Sequence, residues 1–217
     1  MRFEAVCDGV YKEGADYYTL NLVPGESVYG EELVEDDGME YRRWDPYRSK
    51  LAAFLKLKGA LPIRYDMDIL YLGAGDGTTV SHLSDILTYG KIFAVESSKK
   101  PYKNLLSLSK KRKNIFPILA DARDPENYRE IVRDVDMVYQ DISQRDQFRI
   151  LMKNLMFLKD GSYVFFAVKA RSIDAAKPTK DIFRDMRESI LEEGLKIIED
   201  VDISRWQKDH RMVLFRN

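Results

Sequence analysis

With 217 residues and 45% apolar side chains the chain can bury one full core and has room for a small appendage; its 35 Lys and Arg against 36 Asp and Glu leave a net charge of -1, which excludes global attraction to nucleic acid. No apolar run approaches the ~20 residues needed to span a bilayer, and the N-terminus lacks the basic-then-apolar layout of a secretory signal. The single cysteine, Cys7, cannot form an internal disulfide and has no metal-ligand spacing around it, so a soluble, intracellular protein in a reducing compartment, with no metal and no membrane contact, is expected.

Residues 1–46 alternate apolar and polar side chains in FEAVCDGVY and YYTLNLV, with turn signals at Asp8-Gly9 and Glu13-Gly14, and read as a small antiparallel β subdomain. From Tyr47 the pattern changes to YRSKLAAFLKLKG, whose Leu51, Phe54, Leu55 and Leu57 suit an amphipathic helix ended by Gly59. Residues 47–217 then alternate apolar strands with helices. The strands are MDILYLGAG, KIFAVES, NIFPILADA, VDMVYQD and SYVFFAVKA; helices are expected at Val80–Leu87, Pro101–Lys110, Pro125–Val132, Gln147–Phe157 and 179–193. Such alternation implies a parallel sheet with helices on both faces. LKIIEDVDI and RMVLFRN, at the end, suit an antiparallel edge. The expected fold is a Rossmann-like α/β domain with a seven-stranded, mostly parallel sheet.

Charge is segregated locally. Residues 30–40 carry acids and no base, and Ser97–Asn114 carry bases and no acid. The second run is either a solvated helix face or an RNA-facing patch.

Ligands of an open parallel sheet bind outside the carboxyl ends of its strands. Gly73-Ala-Gly-Asp-Gly77 follows the first strand, where glycines permit a tight turn, and Thr78 or Thr79 can cap the next helix. The spacing departs from the dinucleotide pattern, and the turn alone could be purely structural. Its company is more informative. Glu96 ends the second strand, where an acid suits a ribose diol, and Asp121-Ala122 follow the third, where an acid and a small residue suit an adenine edge; Asp141 follows the fourth. Together these favour S-adenosyl-L-methionine (SAM) over NAD and a class I methyltransferase over an oxidoreductase.

The segments VYGE (Val28–Glu31), YRRWDPYRSKLAA (Tyr41–Ala53), YLGAGDGTTVSHLSDI (Tyr71–Ile86), VYQDISQ (Val138–Gln144), VKARSID (Val168–Asp174) and KDH (Lys208–His210), in this order, resemble the fibrillarin family, in particular its archaeal fibrillarin-like members. The resemblance covers almost the whole chain. It implies a ribose 2′-O-methyltransferase of rRNA and tRNA working in a box C/D ribonucleoprotein. The implied partners are a Nop-domain scaffold, a kink-turn-binding ribosomal-type protein, a guide RNA and its target; the implied cofactor, SAM, leaves as S-adenosyl-L-homocysteine. The cofactor residues expected are Gly73, Gly75, Thr78, Thr79, Glu96, Ser97, Asp121, Ala122, Asp141, Ile142, Ser143 and Gln144.

Removing a proton from a ribose hydroxyl during in-line transfer needs a base of tuned pKa, and a lysine serves when desolvation or a neighbouring cation lowers its own. Candidates are Lys50, Asp141, Lys169 and His210, which the resemblance matches to a Lys-Asp-Lys-His set: Lys169 as base, Asp141 positioning it, Lys50 and His210 orienting the ribose. His82 is expected to be structural. Arg171, Lys177 and Lys180 are candidate phosphate contacts, and Trp44 and Tyr47 are candidate surface residues for the scaffold. Cytosine-C5 chemistry needs a cysteine nucleophile, and Cys7 lies far from the strand ends. A non-catalytic RNA-binding subunit is the rival from another class, which the four intact candidates disfavour.

Overall fold

The computed structural model describes residues 2–217. Five short strands, β1 (Glu4–Cys7), β2 (Val10–Glu13), β3 (Asp16–Leu20), β4 (Leu33–Asp36) and β5 (Met39–Arg43), form an antiparallel sheet in the order β1-β2-β3-β5-β4. The acidic run at 30–40 supplies its β4–β5 hairpin. Asp37 and Gly38 both take positive φ (52° and 75°), the pairing a two-residue hairpin turn requires. One side of this sheet closes a small cluster of Phe3, Tyr18, Val34 and Tyr41.

A linker carrying Trp44 leads into α1 (Lys50–Lys58), and β6 (Ile69–Leu72), α2 (Thr78–Ile86), β7 (Ile92–Glu96), α3 (Lys99–Lys111), β8 (Ile115–Leu119), β9 (Val135–Gln140), α4 (Gln147–Asn154), β10 (Leu158–Lys169), α5 (Ala170–Ile173), α6 (Thr179–Glu192), β11 (Lys196–Asp202) and β12 (His210–Arg216) follow. The seven strands from β6 onward form one sheet, β11-β12-β10-β9-β6-β7-β8, parallel from β10 to β8 and antiparallel at β12 and β11. This is the Rossmann-like arrangement expected, antiparallel edge included. Its strands are apolar on both sides because helices cover both faces, with α1 and α2 in one core and α4 and α6 in the other.

Two helices differ from expectation. Residues 125–132 make only a 3₁₀ turn, Pro125–Tyr128, because Tyr128 and Val132 are buried while Ile131 is exposed, and so narrow an apolar stripe does not hold a longer helix. After Asn154 the chain tightens into a second 3₁₀ turn, Leu155–Phe157, and enters β10 directly at Leu158, four residues earlier than the apolar run suggests.

The two sheets are joined by a buried ionic cluster. Arg42 of β5 donates to Glu31 (Nε to Oε1, 2.7 Å), to Asp85 of α2 (2.7 Å) and to Ser81 (2.9 Å). Arg112 pairs with Asp85 at 2.5 Å and donates to Asn21 at 3.0 Å; Thr19 and the Leu22 amide also donate to Asp85. Arg112 therefore leaves the basic run of α3 for the core, whereas the lysines of that run stay solvated. His82 lies inside the cluster, hydrogen-bonded to the Thr19 and Tyr29 hydroxyls, and burial together with Arg42 and Arg112 holds its imidazole well below its usual pKa. Its role is structural. Trp44, expected at the surface, is instead buried and stacked on His82 at 4.9 Å. Tyr47 is exposed.

Candidate active site

The chain runs outward from β6 to β8, returns, and places β9 beside β6 on the other side. At that switch point the strand ends diverge and open a cleft of about 480 Å³. Every residue expected for the cofactor lines it, together with Arg48, Tyr71, Asp76, Val95 and Ile150, which the sequence alone did not single out.

The glycine turn shapes one wall. Gly73 has φ +81°, and a Cβ there would stand 2.6 Å from the Asp141 carbonyl oxygen, so glycine lets the turns after β6 and β9 touch. Gly75 (φ +57°) faces open space on the cleft side, and its amide donates to Glu96 Oε2 at 2.9 Å. Ser98 N donates to Glu96 Oε1 at 2.7 Å, so two amides fix the carboxylate at the end of β7. Contrary to expectation, neither Thr78 nor Thr79 caps α2. Gly77 is the N-cap, at φ +91°, and a Cβ on it would meet the Leu108 side chain at 2.6 Å. The Thr79 hydroxyl is 3.0 Å from that of Ser49, the N-cap of α1, and so links the glycine turn to the helix that presents Lys50.

The opposite wall holds Asp121, whose Oδ1 accepts from the Arg123 amide at 2.9 Å. Val95, Ala122, Ile142 and Ile150 supply apolar surface around it. A charged ribose-binding group, a carboxylate beside an apolar slot, and an open glycine turn match the diol, adenine and amino-acid end of SAM. No anion-cradling loop is needed because SAM carries no pyrophosphate. The residues present fit that cofactor.

At the mouth of the cleft the four candidate catalytic residues converge from four elements. Asp141, directly after β9, has Lys50 Nζ at 3.0 Å from Oδ2 and Lys169 Nζ at 2.6 Å from Oδ1. Lys169, the last residue of β10, also donates to the Asp141 carbonyl (2.9 Å) and to Ser143 Oγ (2.8 Å). Its backbone is locked by Gln147: Lys169 N donates to Gln147 Oε1 at 3.0 Å, and Gln147 Nε2 donates to Lys169 O at 3.3 Å. His210 opens β12 and is the direct cross-strand neighbour of Lys169. Lys50 is the first residue of α1, where the helix dipole disfavours a cation and no acid stands in the first turn to offset it. Among the described residues, Asp141 is the only carboxylate within ion-pair distance of it.

Electrostatics distinguish the four. Burial pushes the Asp141 carboxyl upward, but Lys50 and Lys169 outweigh it and hold it below the usual carboxylate range. Burial and, beyond Asp141's opposing pull, the Lys50 charge lower the pKa of Lys169. His210 is lowered by burial and by both lysines. Its Nδ1 lies 2.6 Å from the Lys208 carbonyl, which can only accept, so Nδ1 carries the proton and Nε2 is the acceptor in the neutral ring.

Of the phosphate candidates, Arg171 is paired with Asp209, and Lys177 with Asp185, while Lys180 is exposed. Tyr71 and Tyr139, stacked at 4.4 Å, floor the site next to Asp141; both are apolar-strand residues whose hydroxyls gave no sequence signal.

The fold and this cleft define a SAM-dependent methyltransferase of the class I, Rossmann-like type. The Fibrillarin family profile matches residues 2–217, and the chain belongs to the fibrillarin family. A "Fibrillarin-like rRNA/tRNA 2'-O-methyltransferase" from Methanosarcina acetivorans is 43% identical over 209 residues, covering 94% of this chain and 92% of that protein. The crystal structure of Aeropyrum pernix fibrillarin with natively bound SAM is 42% identical with a TM-score of 0.85, covering 95% of this chain and 92% of that one. A fibrillarin from a fibrillarin/Nop5p complex superposes with a TM-score of 0.90 at 40% identity, covering 99% and 100%.

Proposed function

We propose that the chain transfers a methyl group from SAM to the ribose 2′-hydroxyl of rRNA and tRNA as the catalytic subunit of a box C/D guide ribonucleoprotein. The observation that carries the chemistry is the Asp141 carboxylate held between Lys50 and Lys169, with His210 on the adjoining strand, at the mouth of a cleft that fits SAM. The named relatives support the acceptor and the assembly: one carries the rRNA/tRNA activity in its name, and another was captured with Nop5p.

SAM supplies an electrophilic methyl on a sulfonium. The protein's part is to hold the nucleophile in line and receive its proton. Lys169 is the proposed base: its lowered pKa raises the fraction of free amine near neutrality, and Asp141 fixes its position. Lys50 and His210 orient the ribose, Lys50 through its hydrogen bond to Asp141 and His210 through its free Nε2. A second reading makes His210 the proton acceptor, favoured by that same Nε2 and by the contacts that hold the Lys169 ammonium: hydrogen bonds to the Asp141 carbonyl and Ser143 Oγ, and the ion pair with the Asp141 carboxylate. The pH profiles of the Lys169→Met and His210→Gln variants separate them: the inflection of the unaltered assembly, below 10.5 for a lysine base and below 6.5 for a histidine base, is lost with the residue that provides it.

Residues 1–46 form a structural subdomain and 47–217 the methyltransferase domain in this reading, with the Arg42–Asp85 pair crossing between them. No helix among the described residues is long and apolar enough to cross a membrane, and the archaeal relatives support a cytoplasmic location. Guide RNA, kink-turn-binding protein and Nop-domain scaffold supply the target selection that a chain of net charge -1 does not.

The test is transfer from labelled SAM to a guide-matched RNA, with and without the reconstituted scaffold and kink-turn proteins. Labelling of one guide-specified 2′ position, only in the full assembly, is expected; absence of transfer by an assembly that binds SAM overturns the reading.

A further inference from the structure

Charge in the cofactor cleft is unevenly matched. Asp76, Glu96, Asp121 and Asp141 line it, against Arg48, Arg123 and Lys169. Arg123 is tied to Asp121 and Asp146, and Lys169 to Asp141. Arg48 alone of the three has no carboxylate within ion-pair distance among the described residues, and it is exposed to the cleft. It is nonetheless held in place. Its guanidinium lies 5.6 Å from the centroid of the Tyr29 ring, and Tyr29 is itself fixed by hydrogen bonds to the Arg43 carbonyl and to buried His82. A guanidinium over an aromatic face keeps its planar donors free at the edge.

The position of Arg48 selects a ligand group. Glu96 and Asp121 occupy the nucleoside end of the cleft. Arg48 lines the other end with the glycine turn and Asp76 and Thr78, where the cleft runs into a neighbouring groove shared by the same three residues. The first turn of α2 at that end contains no acid and no side-chain cap, and Asp76, the acid that lines it, is taken up by Asn104, whose Nδ2 donates to Asp76 Oδ1 at 2.9 Å. We propose that Arg48 pairs with the α-carboxylate of the cofactor's amino-acid end and is a determinant of cofactor recognition. The inference rests on the SAM reading of this cleft. It gives the sequence YRSK two separate duties: Arg48 for the cofactor, Lys50 for Asp141.

The test is calorimetric binding to the full chain of two ligands that differ at the inferred contact: S-adenosyl-L-homocysteine, which has the carboxylate, and 5′-methylthioadenosine, which lacks the amino-acid end. Arg48→Gln is expected to weaken the first about tenfold or more, the scale of a lost charge-assisted pair, and to leave the second within about twofold, so the variant's preference between them collapses; Arg48→Lys keeps part of it. Equal weakening of both ligands, or of neither, overturns the proposal. So does a third pattern, in which homocysteine-ligand binding is unchanged while guided RNA methylation becomes less salt-sensitive, because Arg48 then serves an RNA phosphate. Failure of the unaltered chain to bind S-adenosyl-L-homocysteine at all breaks the cofactor reading itself, a different result.

Discussion

The molecule contains two buried clusters of charge. In the joint between the sheets, Glu31, Arg42, Asp85 and Arg112 match two acids with two bases, and side-chain hydroxyls, an amide and Asn21 take up the remaining hydrogen-bonding capacity. In the active-site cluster two lysines share one carboxylate, every member keeps between 11% and 16% of its side chain open, and the lysine at the strand end has a depressed pKa. The first arrangement is balanced and closed, so its charges have no reason to change state. The second is cationic and open, so a proton can leave it and an anionic or hydroxylic partner can enter. Buried ion pairs in one fold can thus be told apart by stoichiometry and access.

The largest effect expected from disturbing that contrast is on catalysis. Lys169→Met should lower guided methyl transfer by about 10²- to 10⁴-fold, the usual contribution of a positioned base, with SAM affinity measured by calorimetry near that of the unaltered chain; retained transfer would sink the assignment. Next comes the joint. Asp85→Asn leaves Arg42 and Arg112 buried without their shared acid and should cost about 3–5 kcal/mol in denaturant unfolding, since a broken buried pair strands its partner.

A sharper test uses pH. Asp141 raises the pKa of Lys169, while burial and Lys50 lower it. The single-turnover rate should therefore climb with pH and level off below the 10.5 of an ordinary lysine. Asp141→Asn should move that inflection to lower pH, and Lys50→Met should move it to higher pH; shifts of the opposite sign would overturn the electrostatic account. In the joint, His82 is neutral when folded and would be protonated first in the unfolded chain. Its lowered folded pKa means that its contribution is complete above about 6.5 and is lost as pH falls below that value. Stability measured from pH 7 to 5 should decline in the parent and decline less steeply in His82→Gln. The smallest effect belongs to a pair outside both clusters: Lys111→Ala removes the exposed contact with Glu26 and should change stability by less than about 1 kcal/mol.

Strand identity was legible because β6, β8, most of β7 and the second half of β10 are continuous apolar runs and β9 carries the apolar Met137–Tyr139, and the residues at their ends announced the site: Glu96, Asp121, Asp141 and Lys169 are each chemically out of place beside such runs. Less was legible where a residue's role depends on a distant partner. Trp44 and Arg112 looked like surface residues because their sequence neighbours are polar, and only the packing of the first sheet on α2 shows what buries them. Thr79 looked like a cap because hydroxyls before helices usually are; the cap fell to Gly77 since Leu108 of another helix crowds that position. Arg48 gave no signal, since an arginine near a helix start is ordinarily solvated.

The pairing of Lys169 with His210 sits at one end of an unbroken ladder that runs to Tyr163 and Arg216. Between these two partners the chain leaves β10 through α5 and α6, forms the edge strand β11 and returns as β12. Their mutual distance is therefore an inheritance of hydrogen-bond register, which the excursion of residues 170–209 supports from outside: buried Ile182 and Ile190 tie α6 to the core, and β11 pairs with β12. An insertion of a single residue within Val164–Val168 acts on the register itself: it reverses which face of the sheet the terminal residue presents. Chimeras that exchange only the exposed residues of the excursion should accordingly keep methyl transfer.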